Sequence, residues 1–290
     1  MFPASFGYMA PHSVEEALQL LTKHGEDAKL LAGGHSLIPA MKLRLASPRY
    51  LVDLGLIPGL RGVRLDGNVL AIGALTVHAD VLSSDLVRKH VPGLAEAASV
   101  IGDVQVRNRG TIGGSVAHAD PAADFPVILT ALNASFVAQS PSGSRTVAAD
   151  EFFVDFYTTA LKPDEILTEI RVPLPSAGTG IAYAKLPHPA SGYVVASAGV
   201  LLSLQPSGSC ASARLAIGGL ASGPTRAIAA ETELQGKPLN AQVIGAAADK
   251  AAQETDPDGD SYASAEYKRH MATVLARRAI EQAMRRASAT

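Results

Sequence analysis

Two paired-glycine turns constrain this chain more than anything else in it. The first, Leu31-Ala32-Gly33-Gly34-His35-Ser36-Leu37, follows Lys29-Leu30-Leu31, which reads as a short buried strand. The second is Gly110-Thr111-Ile112-Gly113-Gly114-Ser115. Glycine carries no Cβ and reaches positive φ freely, so such turns let backbone amides converge on an anion, and Ser and Thr hydroxyls add donors. A hydrogen bond to a charged group contributes roughly 1.5–3 kcal/mol, so two such turns together can hold a diphosphate. A paired glycine more often serves its turn alone, and either segment by itself carries only that reading. No Gly-x-Gly-x-x-Gly fingerprint and no Walker sequence is present. Gly178-Thr179-Gly180 is a fragment beside prolines and adds nothing.

Around these turns the pattern alternates between strands and helices. Ser13 and Glu16 form a capping box, Val14, Ala17, Leu18 and Leu21 an apolar stripe, and Gly25 a helix stop. Strands are predicted at 50–54, 69–73, 135–139, 145–147 and 166–172. Helices are predicted over 76–86 and 94–101, separated by Pro92-Gly93, and from Asp120-Pro121, with Asp as the cap and Pro at the first helical position. Pro173 to Gly178 is the best linker. Beyond it come strand-like runs at 193–204 and 213–218, then alanine-rich helical segments at 225–234, 241–255 and 262–286. Strands first and helices later is an α+β signature.

Composition excludes several functions. The 290 residues carry 25 basic and 27 acidic side chains, a net charge of −2, which leaves no electrostatic footprint for nucleic acid. The one cysteine, Cys210, permits neither an internal disulfide framework nor a cysteine-ligated zinc or iron–sulfur site. No apolar run approaches the roughly 18 residues of a membrane span. No secretory signal is visible, and a cytoplasmic location is the expectation.

Four polar features remain. His35 reads as a turn residue. Asp124, one turn after Asp120, reads as a first-turn acid favoured by the helix dipole. His118 and Asp120 lack a third ligand nearby, so no metal is assigned. Lys185, His188 and Tyr193 read as a polar surface turn before a strand.

In combination these segments resemble the medium, FAD-binding subunits of the xanthine dehydrogenase and aerobic carbon monoxide dehydrogenase family. The matching residues are Ala32 to Lys42, Arg109 to Ser115, and Ala119-Asp120-Pro121-Ala122-Ala123-Asp124. Phe2-Pro3, Phe6-x-Tyr8-x-x-Pro11, Ala265-Glu266-Tyr267-Lys268, Met271 and Arg278-Ala279 also match. The resemblance runs the whole length in order. It implies an α+β protein: an FAD-binding fold of the vanillyl-alcohol-oxidase type, residues 1–175, with subdomains of about 1–55 and 56–175. A C-terminal domain of sheet and helices, 176–290, follows.

The resemblance also implies roles. Ala32, Gly33, Gly34, His35 and Ser36, with Thr111, Ile112, Gly113, Gly114 and Ser115, would cradle the diphosphate of FAD. Asp124 would bond the ribose or nearby polar groups, and Ile101 would pack on the adenine. Leu161 would touch the isoalloxazine, with Lys185 and Tyr193 near the ring, Lys185 balancing the negative charge of reduced flavin. No residue is assigned a catalytic or metal-ligating role. The implied function is electron transfer. Electrons from a molybdenum cofactor on a large subunit pass through two 2Fe-2S clusters on a small subunit to FAD here, and on to an external acceptor. The implied assembly is a dimer of heterotrimers. A free-standing FAD-dependent oxidase or reductase would need its own acid–base residue over the flavin. A nucleotide-binding scaffold would purify colourless. At 185–193 the sequence departs from carbon monoxide dehydrogenase subunits, where a basic segment ends in Gly-Asp-Tyr or Gly-Asp-Trp, and Ser115 replaces Asn or Asp. An N-heterocycle, purine, aldehyde or other aromatic substrate is therefore as open as carbon monoxide.

Overall fold

The computed structural model describes residues 1–289. Three sheets follow one another along the chain. The first is parallel, β1 (Gly7–Met9), β2 (Ala28–Leu31) and β3 (Tyr50–Asp53), with β3 in the middle. Helix α1 (Val14–His24) crosses from β1 to β2, and α2 (Leu37–Lys42) lies between β2 and β3. The α1 cap forms as the sequence predicts: Ser13 Oγ accepts from the Glu16 amide at 3.0 Å. The Glu16 carboxylate reaches one residue further than a capping box, to the His12 amide. Ala17, Leu18 and Leu21 face a small core with Ala28, Val52 and Leu54.

The second sheet is antiparallel. It orders β4 (Val63–Asp66), β5 (Val69–Gly73), β10, β6 and β7, where β6 is Ser135–Ser140, β7 is Gly143–Ala148 and β10 is Ile166–Pro173. Between β5 and β6 run α3 (His78–Ser83), α4 (Asp85–His90), α5 (Pro92–Ser99), α6 (Val104–Arg107), α7 (Ile112–His118) and α8 (Asp124–Ala131). A short helix α9 (Ala149–Phe152) and a hairpin of β8 (Phe153–Asp155) and β9 (Thr158–Thr159) precede β10. Every residue of α8 is buried, which makes it the central post of the molecule.

The third sheet orders β11 (Thr179–Pro187), β12 (Val194–Leu204), β13 (Cys210–Gly218) and β14 (Thr225–Arg226), all antiparallel. One face packs on α5 and α8. The other carries α10 (Ile228–Leu234), α11 (Ala241–Gln253) and α12 (Ala265–Ala287). Coverage of both faces explains why β12 is buried from Val194 to Val200 without alternation. Glu96 of α5 ties these layers together: it accepts from the Tyr183 amide on β11 and pairs with Arg286 of α12.

The differences from the predicted elements have physical reasons. The helix predicted over 76–86 is two, because Ser84 caps a new start through the Val87 amide. Pro92 separates α4 from α5 as expected, but as the first residue of α5, two residues before the predicted start; its missing N–H costs nothing at that position. The helix predicted from Asp120 starts at Asp124. Asp120 instead accepts from the Ala122 amide in a turn, whose Ala122 carbonyl accepts from Val194. Thr225–Arg226 pairs with β13 and is not helical. Strand β11 was not predicted, and Lys185 lies on it, not in a turn.

Close packing of β11 on α12 makes a test. A Cβ on Gly180 would sit 1.8 Å from the Ala283 carbonyl oxygen, a backbone atom that cannot swing away. Gly180→Ala is expected to destabilise the chain by roughly 1–3 kcal/mol or more, measured as a lower urea midpoint. An unchanged midpoint would refute the packing.

Candidate functional site

A cavity of about 670 Å³ lies where the first two sheets meet, and it reaches the turn before β12. Its size is that of a cofactor cleft. One wall is the turn from β2 into α2: Ala32, Gly33, Gly34, His35 and Ser36 all line it. The amides of Gly33, Gly34, His35 and Ser36 have no acceptor among the described residues. Unbonded, half-sheltered amides on one turn are a ready anion cradle. Of this pair only Gly34 needs the left-handed region, with φ +77°. Gly33 is demanded by contact instead: a Cβ there would fall 2.2 Å from the Arg109 carbonyl oxygen.

The second glycine segment works differently from the sequence expectation. It is the first turn of α7, and its amides are already used. Ile112 donates to Thr76 O at 3.0 Å, Gly113 to Ala74 O at 2.8 Å, and Ser115 to Thr111 O at 3.0 Å. Gly114 donates to the Thr111 hydroxyl at 3.1 Å. What this segment offers the cavity is hydroxyl hydrogens, from Thr111 and Ser115, and bare backbone at Gly113 and Gly114. Ile112 does not line the cavity; its side chain is fully buried in the core beside Val116 and Phe125.

The remaining predicted residues divide. Ile101, Leu161 and Tyr193 line the cavity. Leu161 stands on a turn that Glu165 fixes. That carboxylate is buried, takes two bonds from Arg145 at 2.6 and 2.8 Å and one from the Lys162 amide at 2.7 Å. The Arg145 guanidinium holds the Glu165 carboxyl below the usual carboxylate range. Tyr193 is half exposed at the cavity mouth, with its phenol pushed up by partial burial and by Asp120.

Lys185 is not at the cavity. Its Nζ is buried, 2.9 Å from the Asp124 carboxylate and 3.0 Å from Val100 O. The placement of Lys185 beside a flavin ring as an electronic tuner finds no support in this geometry. Asp124 touches the cavity but its oxygens already accept from Lys185 and from the Tyr183 hydroxyl, 2.9 Å away. That commitment leaves little of it for a ribose. Burial pushes the Asp124 carboxyl up to about 6, against the opposing pull of Lys185 and Tyr183. By fixing Val100 O, Lys185 positions the Ile101–Gly102 loop, whose carbonyls also accept from Arg107.

Two lining residues escaped sequence reasoning. His78 is buried at the start of α3. Tyr157, in the β8–β9 hairpin, holds φ +51° and lies 5.1 Å from the His118 ring. Neither sits in a motif, and only the assembled hairpin and helix bring them to the cleft.

The buried acid has a pH signature. Its folded value, raised from 3.8 to about 6, means that ionisation costs more in the folded chain. The stability this group contributes is full below about pH 4, is lost as pH rises to about 6, and is level beyond. Asp124→Asn cannot ionise. Its unfolding free energy relative to wild type is therefore expected to rise between pH 4 and 6 and then flatten, read by urea titration at each pH. A constant difference across that window would contradict the buried, raised carboxyl.

Comparison with known proteins fits this geometry. Residues 4–175 match the FAD binding domain in molybdopterin dehydrogenase, and residues 181–283 match the CO dehydrogenase flavoprotein C-terminal domain. The carbon monoxide dehydrogenase medium chain of Hydrogenophaga pseudoflava is 45% identical over 287 residues, 99% of either chain. The 6-hydroxypseudooxynicotine dehydrogenase complex subunit alpha of Paenarthrobacter nicotinovorans is 39% identical over 290 residues, 100% of this chain and 98% of that one. A solved structure of the Hydrogenophaga pseudoflava carbon monoxide dehydrogenase, in a form lacking the Mo-pyranopterin moiety of its cofactor, superposes with a TM-score of 0.96 at 46% identity over 99% of both chains. A cleft walled by unbonded glycine-turn amides, in a chain matched from end to end, leads to one conclusion: the chain belongs to the family of FAD-binding flavoprotein subunits, the medium chains, of molybdopterin dehydrogenases.

Proposed function

We propose that this chain holds FAD in the cavity as the electron-transfer subunit of a molybdenum hydroxylase. The observation that carries the reading is the run of unbonded amides from Gly33 to Ser36 beside the Thr111 and Ser115 hydroxyls. Together they suit a diphosphate, which needs several donors at close range. Ile101 offers an apolar face for the adenine. Leu161 and the Tyr193 ring offer apolar and aromatic faces for the isoalloxazine and keep water from it. When bound, the flavin supplies the redox chemistry that accepts and passes on electrons.

A lone cysteine, Cys210, cannot ligate an iron–sulfur cluster, so the clusters belong to other chains. The assembly proposed is a heterotrimer, with a large subunit carrying the molybdenum cofactor and a small one carrying two 2Fe-2S clusters. Two trimers pair. A cytoplasmic location belongs to the same reading. No helix among the described residues is long and apolar enough to cross a membrane. The proposed division at residues 175 and 176, with an inner boundary near 55, rests on three apolar cores that fall mainly on either side of those boundaries, with Ile181, Tyr183 and Ala216 joining the middle core and Leu60, Leu75 and Ile166 the first.

Two experiments test this. Purified protein should show flavin absorption and release FAD on denaturation; release of FMN alone would overturn the diphosphate cradle. Ser115→Leu, which puts an apolar branched side chain against the cradle, should weaken FAD binding by at least about tenfold with unchanged far-ultraviolet dichroism. Affinity purification from the native host should bring down a cysteine-rich small chain and a much larger molybdenum-containing chain, with a mass matching two trimers. A stable, fully active single chain without iron or molybdenum would contradict the assembly.

A further inference from the structure

Among the described polar side chains that line the cavity, His78 has a buried nitrogen with no hydrogen-bond partner. His78 is 5% exposed, and its Nδ1 is buried with no hydrogen-bond partner among the described residues. The ring stands edge-on to Phe125, with centroids 5.1 Å apart. Its backbone amide donates to Gly110 O at 3.0 Å. The ring also fills the space that a side chain at 110 would need, since a Cβ there would lie 2.6 Å from Nε2. Gly110 is in turn part of the backbone on which Gly33 rests. His78 therefore sits at the crossing of the two glycine segments and lines the cavity there. Burial, with His35 and Arg107 nearby, holds its imidazole down to about 4, so the ring is neutral, with one donor and one acceptor nitrogen.

A buried polar ring without partners is destabilising, and leucine or phenylalanine would fill the same space beside Phe125 without that cost. Nδ1 is sealed from the cavity, so the nitrogen that an occupant can reach is Nε2, and a polar ring on this wall is explained when the occupant takes that bond. We propose that His78 is a ligand of the bound dinucleotide, its neutral imidazole donating the Nε2–H to a diphosphate oxygen where the two glycine segments meet. This rests on the FAD reading above and adds to it a donor outside both glycine turns.

The test uses the full-length chain stripped of flavin. FAD and ADP are titrated separately by calorimetry into wild type, His78→Leu and His78→Gln. ADP carries the diphosphate without the ring system. His78→Leu is expected to bind both about tenfold more weakly, while the melting temperature of its flavin-free form is unchanged or raised. His78→Gln, which restores a donor, should recover part of the affinity for both. His78→Leu with wild-type affinity for FAD, or with a loss confined to FAD and absent for ADP, would overturn the diphosphate contact. Should the leucine variant fail to fold, the wild-type imidazole nitrogens report directly by NMR: a shift of one His78 ring nitrogen on adding ADP supports the bond, and no shift refutes it. Wild-type protein that binds ADP but not FAD would sink the cofactor reading and leave His78 as a nucleotide ligand. Protein that binds neither would sink both.

Discussion

The cleft exists because two sheets meet backbone to backbone. Gly33, at the end of the parallel sheet, lies directly on the Arg109–Gly110 peptide. Gly113 lies as closely on Ala74, which follows β5, and donates its amide to the Ala74 carbonyl at 2.8 Å. The one side-chain atom among the nearest is the Cβ of Ala74, which has no rotamer to change, so neither contact can be loosened that way. The distance between the two turns is thereby fixed by main-chain geometry. It also follows that a branched residue at 33 would disturb the joint between sheets before it could block a ligand, so its effect on binding alone is not separable.

A polar clamp holds the third sheet to that joint. Lys185 and Tyr183 sit two apart on β11 and so face the same side, where both meet Asp124 at the start of α8. Removing one partner from such a buried set leaves a charge unpaired, which typically costs more than the intact pair contributes. The clamp holds the Ile101–Gly102 loop from behind. Lys185 anchors Val100 O while Arg107 anchors the carbonyls of Ile101 and Gly102. Lys185, expected beside the cofactor, thus acts behind the cavity wall.

Legibility in the sequence followed the physics of each element. The α1 cap, β2, β5, β6 and β10 were readable because capping and hydrophobic pattern are local. Strand β11 was not, because Gly180, Ala182 and Ala184 carry little apolar signal; their small size answers to α12, packed against them from far along the chain. The first glycine turn keeps its amides unbonded, as its reading as an amide cradle expects. The second was read as the same device, yet its amides serve Thr76, Ala74 and Thr111, partners that only the fold supplies. His78 stayed invisible for the same reason: a lone histidine means nothing until Gly110 and Phe125 close around it.

The charges around the cavity bear on what the site can do. Three carboxylates among the described residues reach it: Asp120, Asp124 and Glu165. Glu165 is held by Arg145 and the Lys162 amide, Asp124 by Lys185 and Tyr183, and one oxygen of Asp120 by the Ala122 amide. A general base has to be free to take a proton from a substrate and must reach it within hydrogen-bond distance. Acids so engaged are suited to shaping walls and loops, and the faces left open, Leu161, Tyr157 and Tyr193, are apolar or aromatic. Such a site asks of its occupant only that it be held still and dry while electrons pass. A scaffold with that task has no reason to change with the substrate oxidised elsewhere. That accounts for close likeness, over nearly the whole chain, to subunits named for carbon monoxide and for 6-hydroxypseudooxynicotine alike.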